Sequence, residues 1–137
     1  MRRAAAIALA ALTISACTAV PQRALIPIPP ERTGDWIRRG IETPAAADAP
    51  APMSRFQPQA WIRAAYYRRD LGIEVSAYGF QSTTEAAEVR RSLPARDGVF
   101  VFVRGLVVVV CTSQNADTET VKAFAGPLEA AWFGSVR

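Results

Sequence analysis

The chain has 137 residues and a mass of 14.8 kDa, 50% hydrophobic and 20% charged, with ten prolines and no histidine. That length allows one small domain, and the ordinary balance of apolar and charged residues argues against disorder throughout. The lack of histidine excludes His-based triads, His metal sites and imidazole acid–base chemistry.

Met1-Arg2-Arg3 is a positive start, and Ala4 to Leu12 is a run of small apolar residues. The run is too short to cross a hydrocarbon core of ~30 Å and fits the apolar region of a secretory signal peptide. It leads into Ile14-Ser15-Ala16-Cys17, which resembles the bacterial lipobox. The resemblance implies that residues 1–16 are a signal peptide and that the Cys17 thiol receives a diacylglyceryl group. Such an anchor gains ~0.8 kcal/mol per buried methylene. Lipoproteins kept in the inner membrane often carry Asp after the cysteine, whereas this chain has Thr18. The expected location is the bacterial cell envelope, on the periplasmic face of the outer membrane. With Cys17 acylated, Cys111 has no partner, so no disulfide framework is expected. From Cys17 onward there are fourteen basic and twelve acidic residues, interspersed, so no nucleic-acid partner is expected.

Residues 17–57 read as the lipidated N-terminus and a Pro/Ala-rich disordered linker. Pro21, Pro27, Pro29, Pro30, Pro44, Pro50 and Pro52 interrupt any regular period. At ~3.1 Å per residue, such a spacer would reach ~100 Å from the membrane. Only the stretch around Trp36 and Ile37 suggests a local turn.

Residues 58–137 read as one α+β domain. Trp61, Ile62, Ala65 and Tyr66 recur at helical spacing and predict a first helix from Pro58 to near Gly72. Ile73 to Phe80 alternates as a strand. Ser82 with Glu85 has the form of a capping box, opening a helix with Ala86, Val89 and Leu93 on one face and a stop before Pro94. Val99 to Val103 and Leu106 to Cys111 form a hairpin about Arg104-Gly105, pairing Val101 with Val108. Val121, Phe124, Ala125, Leu128 and Trp132 mark a last helix, kinked at Gly126-Pro127. The fold class expected is a small antiparallel or mixed sheet of about three strands packed with helices, behind a Pro-rich tether.

Val75-Ser76-Ala77-Tyr78-Gly79-Phe80, followed by Ala86, Val89 and Leu93, resembles the first half of a SPOR domain, a bacterial module that binds peptidoglycan glycan strands. Leu106 to Val110 is similar to that family's second strong strand. Ser76 and Tyr78 stand where the family has Gln and Gly, and the Gly-Pro-Phe ending is missing. The resemblance covers about half the mature chain and implies peptidoglycan as a partner.

The serines have no activating base, the carboxylates are scattered and no Asp-rich loop is visible. The sequence therefore predicts no catalytic residue, no metal site, no cofactor and no enzyme. If the strands pair as above, Tyr78, Phe80, Phe100 and Phe102 share one side of the sheet, with Arg104 beside them. These five form the candidate binding face, because aromatic faces stack on sugar rings. The function expected is an envelope-anchored lipoprotein whose domain binds or assembles with a partner protein or peptidoglycan. The alternative is a periplasmic ligand sensor, or an accessory subunit of a secretion or transfer complex.

Overall fold

Ala60–Arg68 is a strand (β3), not the helix that the spacing of Trp61, Ile62, Ala65 and Tyr66 predicts. The composition explains why, since Trp, Ile and two Tyr are residues that favour strands. Ile62, Ala64 and Tyr66 point to one side and Trp61, Arg63 and Tyr67 to the other. Pairing holds along the whole length of the next strand, Leu71–Gly79 (β4), from Ala60↔Gly79 to Arg68↔Leu71. Arg69 takes φ 57° in the two-residue turn between them.

The computed structural model describes residues 26–134, so the signal peptide and Cys17 lie outside the described residues. Residues 26–57, expected to be a disordered linker, are part of the folded unit. Arg32–Thr33 (β1) and Trp36–Glu42 (β2) join β3 to extend the sheet, and a register shift in β2 falls between Arg38 and Gly40. The prolines before β1 are held by their carbonyls. Pro27 O accepts from the Trp132 indole at 2.9 Å, Pro29 O from Arg38 and Pro30 O from the Tyr66 hydroxyl. A proline brings no N–H, so an ordered Pro-rich strip needs partners only for its oxygens. The core supplies them.

After β4 the chain follows the sequence reading more closely. Ser82 Oγ accepts from Glu85 N at 3.1 Å and opens α1 (Thr83–Ser92), which buries Ala86 and Val89. Strands β5 (Val99–Arg104) and β6 (Val107–Thr112) form the expected hairpin, but Val101 pairs with Val110 and Val103 with Val108. The turn thus falls at Gly105-Leu106, one residue later than predicted. A slip of two residues in pairing leaves every side chain on its face, because the side-chain period is two. Helix α2 (Thr118–Phe133) is one continuous element through Pro127 and buries all five predicted stripe residues. Asp117 caps it, accepting from Thr120 N at 2.8 Å.

The sheet has six antiparallel strands in the order β1-β2-β3-β4-β6-β5, curled like a half-barrel. This corrects the expected fold class, a three-stranded α+β sandwich behind a disordered tether. Among the described residues the fold is mostly sheet, with two α-helices. Strands β4 and β5 are each antiparallel to β6 and so run parallel to each other, joined by α1 in a split β-α-β unit. Helix α2 covers one face, over Trp36, Tyr66, Val75, Val109 and Phe102. Trp36 and Tyr66 both meet the Phe124 ring with centroids 5.2 Å away. The opposite face carries α1 and the chain from Ala49 to Met53, packed on Trp61, Tyr78, Phe80 and Val108. At Gly98 (φ 73°) a Cβ would lie 2.6 Å from the Ser113 carbonyl oxygen, so the approach to β5 requires glycine.

Candidate functional site

The two antiparallel pairings of β6 decide which side chains share a face. Val75 pairs with Cys111 and Ala77 with Val109, which puts both under α2 beside Phe102. Ser76 pairs with Val110 and Tyr78 with Val108, on the α1 side. The expected binding face is therefore divided between two layers. Tyr78 and Phe80 are buried on the α1 side, and Phe102 is buried under α2 with Phe100 packed nearby. Arg104 serves α2 itself. Its guanidinium donates to Phe133 O and Gly134 O at 3.2 Å and pairs with Glu129 at 3.1 Å, where the helix dipole favours a cation. No aromatic platform arises from these five.

A different site lies on the α1 side, a groove of about 410 Å³ across β3, β4, β6 and β5. Trp61, Tyr78, Val101 and Val110 line its floor; Pro50 to Met53 form one wall and Leu93 to Arg96 the other. Trp61 and Tyr78 are partners across β3 and β4, stacked with ring centroids 5.7 Å apart and planes at 18°. The Arg63 guanidinium stands 5.5 Å from the Trp61 ring centre and is held from β2 by Glu42. That ion pair is exposed, so it positions Arg63 more than it stabilises the fold. Glu74 and Arg96 complete a mouth of mixed charge.

The electrostatics of the floor follow from its burial. Desolvation raises the Tyr78 phenol pKa above its ordinary value of 10.0, opposed by a hydrogen bond with Ser76 and by the Arg63 charge. Tyr78 therefore stays neutral across the physiological range. The hydrogen bond to Glu42 raises the Arg63 pKa, which keeps a fixed cation at the mouth. Trp61 is 8% exposed, and its indole Nε1 is fully buried with no hydrogen-bond partner, the one such side-chain atom among the described residues. A buried donor left unbonded costs ~1–3 kcal/mol. The groove thus offers stacked rings and charges of both signs at its mouth, while the unbonded indole N–H lies buried.

Of these residues the sequence reading singled out only Tyr78 as a binding residue, and it placed Trp61 and Ile62 on a helix. The signal that could have found the site was the alternation Trp61-x-Arg63-x-Ala65 in a stretch rich in aromatic residues. Cys111 is fully buried, and desolvation pushes its thiol pKa up. Among the described residues no group of three His, Cys, Asp or Glu side chains comes together, and no helix is long and apolar enough to cross a membrane. No family model, no curated protein and no solved structure matches the chain.

Proposed function

We propose that this chain is a lipid-anchored component of the bacterial cell envelope whose domain binds an extended segment of a partner protein in the Trp61/Tyr78 groove. The anchoring half of the reading rests on the sequence, from the positive start through the apolar run to Ile14-Ser15-Ala16-Cys17. The binding half is carried by the Trp61/Tyr78 stack in the floor of the groove, with the Arg63 cation fixed beside it. An apolar side chain of an incoming segment would cover the Trp61/Tyr78 stack, while its backbone carbonyls would accept from the Arg63 guanidinium. Trp61 and Tyr78 are only 8% and 4% exposed, which suits a narrow insertion better than an open sugar-stacking platform.

The test is peptide selection on the immobilised chain from residue 18, with purified sacculi as a parallel arm. Supporting results are peptides that bind the parent chain and lose at least tenfold in affinity on Trp61→Phe, with the fold intact by circular dichroism. Peptides that bind equally well after Trp61→Phe and Arg63→Ala would refute the groove. Sacculus binding that survives both substitutions would transfer the function to another surface.

A further inference from the structure

We infer that the anchored domain rests on the bilayer through the surface around Ile28, on the α2 side of the sheet, with the Trp61/Tyr78 groove opening away from the lipid. This inference rests on the anchored reading above. Residues 26 and 27 are firmly held by the α2-side core. Ile26 is buried in the α2-side core, and Pro27 is pinned by the Trp132 indole. Only eight residues separate Cys17 from Ile26, and the nine steps between them reach about 30 Å at full extension. The ~100 Å tether implied by a disordered segment to residue 57 does not exist, because residues 26–57 belong to the fold. A domain of this size is itself about 30 Å across, so its nearest face stays within one domain diameter of the lipid.

The nearest face is set by the entry point. Ile28 lies between the pinned Pro27 and the buried Pro29 and is 73% exposed, the most exposed large apolar side chain among the described residues. Its backbone is fixed on both sides, since Pro27 O accepts from Trp132 before it, and Pro29 O from Arg38 and Pro30 O from Tyr66 after it. The strip cannot fold Ile28 inward without breaking these bonds. The Arg38 guanidinium is therefore within one residue of Ile28. An aliphatic side chain beside a guanidinium group matches the boundary between acyl chains and anionic headgroups. One isoleucine binds lipid weakly in free solution, but a tether this short holds it at high effective concentration. The groove lies on the other face of the sheet, with α1 and residues 49–53 around it. A domain seated on Ile28 turns that face outward.

The experiment uses the acylated chain in vesicles of phosphatidylglycerol and phosphatidylcholine. An environment-sensitive fluorophore is attached at Ile28→Cys or, on the outer face of α1, at Glu88→Cys. Cys111 is fully buried and leaves the introduced thiol as the reactive one. The expected result is blue-shifted emission at position 28, quenched several-fold more strongly by bromine-labelled acyl chains than at position 88. Equal quenching at the two positions, or stronger quenching at 88, overturns the inference. So does a position 28 that loses water contact without bromine quenching, which is the signature of a protein neighbour. Mass analysis of the N-terminal peptide separates the two claims. An unacylated Cys17 overturns the anchored reading itself, whereas an acylated chain with position 28 in water overturns only the seating.

Discussion

Trp61 and Tyr78 face each other across β3 and β4 in a stack whose centroids are 5.7 Å apart, and the buried Trp61 N–H has no acceptor. The stack contributes packing while the unbonded N–H subtracts from it, and the two contributions can be separated. Trp61→Phe keeps an aromatic ring against Tyr78 and removes the orphan donor, so unfolding free energy in denaturant should change by no more than about 1 kcal/mol. Trp61→Ala should cost ~3–5 kcal/mol, because it removes the ring as well. Equal losses for the two variants would show that the N–H is bonded in solution.

Val108 sits at 0% exposure on the α1 side, paired with Tyr78 on β4 and Val103 on β5. Val108→Asp places an unpaired charge there and should abolish cooperative thermal unfolding at neutral pH, since a domain this small has only ~5–15 kcal/mol to lose. Val103→Asp, at the more open edge strand, should be milder. A melt unchanged by Val108→Asp would contradict the central position of β6.

The two helix caps are expected to differ in their response to pH. Ser82→Ala removes a neutral cap from α1 and should lower stability by about 1 kcal/mol, or the melting temperature by about 4–8 °C, at any pH. At α2 the hydrogen bonds from Thr120 lower the Asp117 pKa from its ordinary 3.8. A depressed folded pKa gives stability that is present above the unfolded value and lost as pH falls through the folded one. Melting temperatures should therefore fall below about pH 4, and Asp117→Asn should flatten the part of that decline due to this residue. An unchanged acid slope in Asp117→Asn would contradict the assignment.

Cys111 offers a probe of opening. Its burial and raised thiol pKa leave no reactive thiolate in the native state. Modification by a chromogenic disulfide reagent should be slow in buffer and accelerate with denaturant in parallel with global unfolding. Rapid native-state reaction would mean that the layer between α2 and the sheet opens locally.

The sequence was legible wherever a local rule had no competitor. Ser82 with Glu85, the stripe from Val121 to Trp132 and the two valine-rich strands each state one answer, and the structure agrees. At β3 two rules conflict, because Trp61, Ile62, Ala65 and Tyr66 fit a helical stripe while their residue types favour strands. Pairing with β2 and β4 settles that conflict, and such pairing is invisible in a single stretch. The Pro-rich strip misled for another reason. Proline count describes the lack of donors, whereas its order comes from distant donors on Arg38, Tyr66 and Trp132. The binding face failed because its two strands were placed in the wrong relative phase. Which side of β4 meets which side of β6 depends on a single residue of register.

The place of β6 in the sheet also orders events in time. The last strand to be synthesised lies between β4 and β5, and those two neighbours cannot pair with each other across the gap it fills. A nascent chain that has emerged only to Leu106 can build the β1-to-β4 meander, but it lacks α2, the lid of that layer. Final closure waits for the last thirty or so residues, with contacts spanning most of the chain, such as Trp132 to Pro27. The C-terminal helix and the strand before it act together as the latch.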